Sequence, residues 1–198
     1  MYSKVLAVAA FMMFSAQALA QGVQLGEPAY GGTGCPAGTA SVSVSPARDA
    51  VSILFDQYVA EAGRTTARRI DRKSCNITIP VAVPSGYSVA VFAVDYRGFN
   101  AVPSGGYSRF DAEYFWAGSR GPRISRVFNG PINDIYNLTD NLIATTLVWS
   151  PCGASVNLRI NSSMMAQSNS RMDQTLATVD SADITSGLIY HLQFRRCQ

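Results

Sequence analysis

Residues 39–45 have the sequence TASVSVS, and this alternation decides the fold class. In an extended chain every second side chain points the same way, so hydroxyl residues line one side and apolar residues the other. The apolar side is formed by Ala40, Val42 and Val44. Residues 50–59 alternate in the same manner, after a segment of turn composition at 46–49. The sequence therefore predicts a β-hairpin whose strands are half buried.

The rest of the chain continues this pattern of short strands separated by turn residues. Further strands are predicted at residues 77–83, 87–96, 110–116, 142–149, 155–160, 176–180 and 188–195. Pro80 lacks an amide donor, so its strand is expected at a sheet edge or a bulge. Residues 129–140 show no sustained period and are predicted to form a long connection with short edge strands at most. Helical periodicity is missing, so the prediction is all-β: an antiparallel β-sandwich of jelly-roll or Ig-like type, or a flattened barrel.

The first twenty residues have the order of an export signal. Lys4 precedes an apolar run, and Ala18-Leu19-Ala20 is a small-x-small cleavage site. The apolar run is too short to span a bilayer, although a retained N-terminal anchor is the alternative. We expect cleavage after Ala20 to leave residues 21–198 as a single secreted domain with no transmembrane span, located outside the cell or in a periplasm.

Charge and histidine content limit the function classes. Loss of Lys4 lowers the formal charge from +3 to +2. That balance argues against a nucleic-acid partner, because nucleic-acid-binding domains are usually strongly basic. The chain has one histidine, His191, and it falls on the polar side of its predicted strand. A histidine in that position is a poor candidate for the base of a serine hydrolase.

The four cysteines are Cys35, Cys75, Cys152 and Cys197. In an exported chain an even number of cysteines predicts disulfides. Of the three pairings, 35 with 75 and 152 with 197 is favoured, because each bond would tie neighbouring elements within one half of the chain. A zinc site is the alternative, but no two cysteines are close in sequence and histidine is scarce. The prediction is a disulfide-stapled domain without a metal or other cofactor.

Seven short runs carry a family resemblance: GCPAG at 34–38, SILFDQY at 52–58, RKSC at 72–75, VDYRGF at 94–99, AEYFWAG at 112–118, WSPCG at 149–153 and FRRC at 194–197. Together they resemble the family known as domain of unknown function 4360, and they extend over nearly all of the mature chain. The resemblance implies a small secreted β-rich protein with no established activity. It supplies no catalytic residues.

Two acidic residues are candidates for glycoside hydrolysis. Asp111 and Glu113 alternate onto one side of the predicted strand 110–116, with their backbones about 7 Å apart. A glycosidase needs two carboxyl groups that flank a sugar bond. The solvent-exposed side of an ordinary strand has the same spacing. Hydrolysis is therefore the second hypothesis, after binding.

Aromatic residues around this strand favour a binding function, because aromatic rings can stack on sugars. Tyr107 is predicted to be an exposed ring, and Trp116 is the second candidate. Phe115 and one of the pair Tyr114 and Trp116 are expected in the core instead. Alternation alone does not decide which side of the strand is buried.

Arginines and other polar residues add weaker candidates. Arg120 and Arg123 lie in a loop rich in Gly and Pro, where they could donate bidentate hydrogen bonds to an anionic glycan or an acidic protein. Solvated loop charges are the alternative. Oxygen ligands for calcium are offered by Asp134, Asn137, Asp140 and Asn141, or by Asp180 and Asp183. Their spacing does not match an EF-hand loop, and Asp and Asn residues of turns have the same pattern. Glycosylation sequons begin at Asn76, Asn137 and Asn161.

These observations predict an exported binding or interaction module whose partner is a glycan, an envelope component or an extracellular protein. A carbohydrate-active hydrolase and a structural envelope protein are the alternatives.

Overall fold

The computed structural model describes residues 23–142, 147–179 and 188–197. The described residues form thirteen β-strands and no helix. The strands are β1 (Gln24–Leu25), β2 (Ala29–Gly31), β3 (Ala40–Val44), β4 (Ala50–Phe55), β5 (Val59–Ala62), β6 (Ile70–Ala82), β7 (Tyr87–Val102), β8 (Tyr107–Trp116), β9 (Arg123–Asn129), β10 (Ile132–Asn141), β11 (Ser155–Gln167), β12 (Thr175–Thr178) and β13 (Leu188–Arg196). The all-β prediction is confirmed.

The strands form two antiparallel sheets that pack as a sandwich. The six-stranded sheet has the order β1-β6-β11-β8-β9, and β2 also pairs with β6. The seven-stranded sheet has the order β3-β4-β13-β7-β12-β5, and β10 pairs with β7. From β6 to β8, and again from β9 to β12, the chain crosses from one sheet to the other after each strand. Each sheet is therefore built from segments that alternate along the chain with those of the other sheet.

The core lies between the sheets and follows the period of two along each strand. On β8 the inward side chains are at most 2% exposed: Phe110, Ala112, Tyr114 and Trp116. Rings meet across the sandwich, where Tyr114 of β8 packs edge-on against Tyr190 of β13 at 5.8 Å between centroids. The Tyr58 hydroxyl also shares a 3.0 Å hydrogen bond with Ser162 of β11. Buried aromatic surface of this kind supplies much of the stability of a small sandwich.

Two disulfides close the fold with the pairing favoured from the sequence. Cys35 bonds Cys75 with 5.4 Å between their Cα atoms, and Cys152 bonds Cys197 with 6.0 Å. The first bond lies in the core, next to the point where β2 joins β6. The second ties the turn before β11 to the end of β13.

Strand β10 corrects the prediction of a long connection at residues 129–140. It runs for ten residues and pairs along its whole length with β7. Most of its side chains are exposed, because among the described strands it has a neighbour on one side only. A strand in this position does not need apolar side chains at every second residue. The sequence pattern therefore does not indicate a strand here.

Strand β6 is not a sheet edge, although it contains Pro80. The strand pairs with β11 on one side and with β1 and β2 on the other. Pro80 lies opposite the break between β1 and β2, where its carbonyl accepts a 2.8 Å hydrogen bond from the Gly26 amide. Because neither β1 nor β2 pairs with Pro80, the lack of an amide donor at this residue costs no hydrogen bond to these strands.

Other sequence predictions fall wholly or partly outside the described residues. These are the export signal at 1–20 and its cleavage site, and half of the strand predicted at 142–149, whose described ends are not in a strand. Across 23–142, 147–179 and 188–197, no helix is long and apolar enough to cross a membrane.

Candidate functional site

The outer face of the six-stranded sheet carries two rows of polar residues, each row crossing four strands from β6 through β11 and β8 to β9. The first row is Asn76, Asn161, Glu113 and Arg123. The second row is Ser74, Ser163, Asp111 and Ser125. Residues directly opposite each other in an antiparallel pair have Cβ atoms about 5 Å apart. We call these eight residues the polar face.

The polar face follows from the same alternation that builds the core. In β8 the even-numbered side chains are buried and the odd-numbered ones, including Asp111 and Glu113, point outward. In β11 Ile160 and Ser162 are buried, while Asn161 and Ser163 are half-buried on the outer side. The pairing of Asn161 with Glu113 therefore sets one outward polar side chain beside another.

The centre of the polar face is a shallow depression of about 150 Å³. Asp111, Glu113, Arg123, Asn161 and Ser163 contribute to its lining. The depression is open to solvent, so a ligand could lie on the sheet without entering an enclosed cleft.

The two carboxylates of the polar face have different surroundings. Arg109 donates a 2.9 Å hydrogen bond from Nε to Asp111 Oδ2, which fixes the orientation of that carboxylate. Glu113 has no ion-pair partner among the described residues, although Arg123 lies directly across from it on β9. Glu113 therefore offers a carboxylate that is free to accept hydrogen bonds from a ligand.

Aromatic side chains lie on the same side of β8, one on either side of the carboxylates. Tyr107 and Phe115 are both half-buried on this outer side. They are eight residues apart, or about 27 Å along an extended strand. The prediction that Phe115 lies in the core is therefore wrong.

Trp116 corrects a second prediction about these rings. Its side chain is only 2% exposed, and its Nε1 donates a 2.9 Å hydrogen bond to the Val148 carbonyl. Tyr114 is equally buried, so both inward rings of this strand belong to the core. Trp116 has no free ring surface on which a sugar could stack.

The two candidate arginines are separated by the structure. Arg123 begins β9 and belongs to the polar face, whereas Arg120 is exposed in the turn between β8 and β9 and lies outside both rows. Arg126, the next arginine along the chain, points inward and pairs with Asp140 of β10. Only Arg123 joins the predicted carboxylates.

Comparison with known proteins places the chain in a family. The family described as "Domain of unknown function (DUF4360)" matches residues 21–197. The chain belongs to this family. An "Uncharacterized secreted protein" of Arthroderma benhamiae (strain ATCC MYA-4681 / CBS 112371) is 36% identical over 169 residues, which cover 85% of this chain and 69% of the relative.

One solved structure shows a distant likeness to this DUF4360 protein. It is TmCBM61 in complex with beta-1,4-galactotriose, with a TM-score of 0.29 and 12% identity. The likeness covers 86% of this chain and 88% of the other. At this TM-score it supports no inference about the ligand of the DUF4360 protein.

Five of the eight residues of the polar face are not predicted as site residues from the sequence. From the sequence, Asn76 and Asn161 are recognisable only as the first residues of sequons, and no local pattern marks Ser74, Ser125 or Ser163 as site residues. Extending the alternation of β11 beyond Ile160 would have placed Asn161 and Ser163 on one side of a strand. The register that brings them to β8 joins segments about fifty residues apart, and local pattern does not specify it.

The calcium candidates that lie within the described residues do not form a site. Asp134, Asn137, Asp140 and Asn141 lie along β10 instead of a loop, while Asp180 and Asp183 are outside the described residues. Asp140 pairs with Arg126, and Asp134 accepts a hydrogen bond from the Ile135 amide. In the described part of the chain, no three His, Cys, Asp or Glu side chains are grouped to hold a metal ion.

His191 lies on the outer face of the seven-stranded sheet, where its Nε2 is 2.6 Å from Asp95 Oδ2. Burial raises the pKa of Asp95, but hydrogen bonds from His191 and Thr139 outweigh that effect and leave the pKa below its usual value. The polar face is on the other sheet of the sandwich. His191 therefore cannot serve as a base for chemistry at Asp111 or Glu113.

Proposed function

We propose that this DUF4360 protein is an exported glycan-binding module and that the polar face is its binding surface. The observation that carries the proposal is the pair of cross-strand rows, which gathers carboxylate, amide, hydroxyl and guanidinium groups on one solvent-facing sheet. A sugar hydroxyl both donates and accepts hydrogen bonds. Carboxylates can accept from it, guanidinium groups can donate to it, and amides can do both.

The aromatic residues of β8 extend the proposed surface. Tyr107 and Phe115 present partly exposed rings on the same side as the carboxylates, and such rings can stack on the apolar face of a sugar. Because they lie beyond the polar rows on either side, we propose that the surface takes several linked sugar residues along β8.

Export is the second part of the proposal. The sequence has a leader of signal type before residue 21, and both cysteine pairs are oxidised. Disulfides of this kind persist mainly in oxidising compartments. The similarity to a relative named as secreted supports the same location. We propose that cleavage after Ala20 leaves residues 21–198 as one extracellular or periplasmic domain.

A protein partner fits the polar face less well than a glycan. The centre of a specific protein interface is usually depleted of charged residues and enriched in aromatic ones. None of the eight residues is apolar, and three of them carry charges. This surface has little apolar area to bury against a folded partner.

Hydrolysis is the second candidate, favoured by one observation. Asp111 and Glu113 project from the same side of β8 with backbones about 7 Å apart, a spacing close to that of some glycosidase carboxyl pairs. Against it, the depression is open and Asp111 is already held by Arg109. Binding without turnover therefore accounts for more of the geometry.

A glycan array with the oxidised mature chain tests the proposal. The variant is Asn161→Ala in the polar face, and the matched control is Asn137→Ala, an exposed position on β10 of the other sheet. We expect binding to a defined set of glycans, a loss of about tenfold in affinity for Asn161→Ala, and no change for the control.

Three outcomes would contradict glycan binding by the polar face. Equal affinity of the two asparagine variants would place the site elsewhere. Release of sugar products that stops in Glu113→Gln would favour hydrolysis. Failure to bind any glycan, together with self-association or co-purification with envelope components, would favour a structural role.

A further inference from the structure

The two disulfides differ in their access to solvent. The Cys35 and Cys75 residues are both 0% exposed. Cys152 is exposed and Cys197 is half-buried. Both line an open cavity of about 570 Å³ at the end of the sandwich where β7 begins. A dissolved thiol can therefore approach one disulfide and not the other.

The open cavity has a cationic wall. Arg195 and Arg196 line it, and both side chains are exposed. Arg195 stacks on the ring of Trp149, with its guanidinium carbon 4.2 Å from the ring centroid, which holds the charge in place. The remaining described lining residues are Ser88, Ser150 and the two cysteines, so none of the lining residues that the structure describes has an acidic side chain.

The surroundings of Cys197 suit it as a leaving group. Ser88 Oγ lies 3.7 Å from Cys197 Sγ and can donate a hydrogen bond to a thiolate there. Ser88 also sits directly opposite Arg195 in the β7–β13 pair. Nearby cations and donors stabilise a thiolate, and a more stable thiolate leaves faster.

The backbone holds both sulfur-bearing segments in place independently of the bond. The Cys197 amide donates to the Gly86 carbonyl at 2.9 Å, and the Gly153 amide donates to the Tyr87 carbonyl at 2.8 Å. Gly86 immediately precedes β7, and Tyr87 is the first residue of that strand. After cleavage the two sulfurs would stay near each other, so the bond could form again.

We propose that the Cys152–Cys197 disulfide is a thiol–disulfide exchange site for small acidic thiols. The thiolate of the incoming molecule attacks Cys152 Sγ, a new sulfur–sulfur bond forms, and Cys197 leaves as a thiolate. The product is a mixed disulfide on Cys152. Attack of the Cys197 thiolate on Cys152 Sγ reverses the step and releases the small thiol, so neither direction needs another oxidant or reductant.

Glutathione serves as the acidic probe and 2-mercaptoethanol as the neutral one. The oxidised mature protein is incubated with each probe at equal thiolate concentration, quenched with acid, and analysed by intact mass and peptide mapping. We expect a single adduct on the Cys152 peptide, an intact Cys35–Cys75 bond, and a rate about threefold higher for glutathione because of the cationic wall.

Charge variants make the test specific. Arg195→Ala with Arg196→Ala should abolish the preference for glutathione. A control with Arg69→Ala and Arg120→Ala, two exposed arginines outside the cavity and outside the polar face, removes the same charge and should keep the preference. Adducts on neither disulfide or on both would overturn the proposal. So would an unchanged preference in the Arg195 and Arg196 variant. The readout is a covalent adduct, so it does not depend on whether the protein binds glycans.

Discussion

The two sides of strand β8 show how one segment can serve stability and recognition separately. Its inward residues are almost completely buried, and its outward residues are partly exposed beside those of β11 and β9. Adjacent residues such as Phe115 and Trp116 therefore have different environments. If this separation holds, a substitution on the inner side should change mainly stability, and a substitution on the outer side should change mainly binding.

The largest expected effect is on the buried side. Trp116→Ala should lower the free energy of unfolding by about 3–5 kcal/mol, because it removes a buried aromatic side chain and leaves a cavity. Phe115→Ala is the matched change on the outer side, and it should cost about 1 kcal/mol. Chemical denaturation followed by tyrosine and tryptophan fluorescence measures the difference. Similar losses of stability in the two variants would contradict the difference between the two sides of β8.

The next effect concerns glycan binding. It tests whether an arginine contributes because of its position opposite β8 or only because of its charge. Arg123→Ala should weaken glycan affinity by about tenfold, because a guanidinium donor is lost from the polar face. Arg120→Ala removes the same group three residues earlier, in the turn, and should leave affinity within about twofold. Isothermal titration with a glycan selected on the array provides both values. Equal losses would mean that general positive charge, and not the row of Arg123, attracts the ligand.

The smallest effect comes from the buried hydroxyl of Tyr114. No described residue forms a hydrogen bond with it, so Tyr114→Phe should stabilise the protein by up to about 1 kcal/mol at neutral pH. The edge-on contact with Tyr190 should be retained. Thermal unfolding at pH 7 measures the change. A clear loss of stability would show that this hydroxyl has a polar role inside the core.

The same variant predicts a change at high pH. Burial raises the pKa of Tyr114 above its usual value of about 10. The phenol therefore ionises more easily in the unfolded state than in the native state. As the pH rises above about 10, this difference lowers the free energy of unfolding. Tyr114→Phe should move the midpoint of alkaline unfolding to higher pH. An unchanged midpoint, followed by tyrosinate absorbance and circular dichroism, would contradict this explanation.

Much of the fold could be predicted from the sequence because local alternation specifies half-buried strands. The segment at 39–45 became β3, and the polar side assigned to His191 is the outer side of β13. The correct pairing of both disulfides could be predicted because each bond ties neighbouring elements within one half of the chain. Strand β10 was missed since its side chains are mostly solvated, and the continuity of β6 through Pro80 depends on a break between two other strands.

The candidate site was only partly predictable, for a different reason. Asp111 and Glu113 are neighbours on a single strand, and local spacing was enough to put them on one side. Asn161 and Asn76 reach them only through the pairing of β8 with β11 and of β11 with β6. Whether Trp116 or Phe115 faces the core depends on which side of the sheet packs on its partner. Alternation alone defines two sides without saying which one is inside.

The position of β13 has a consequence for the export that we propose for this chain. This strand lies between β4 and β7 in the seven-stranded sheet, with Tyr190 opposite Val51. A chain that emerges N-terminus first cannot complete that sheet until residues 188–196 arrive. Early strands must wait for a partner about 140 residues away, and non-local pairing of this kind is slow. Late closure would keep the polypeptide unfolded, and so able to thread through a narrow translocation pore, until nearly all of it has passed.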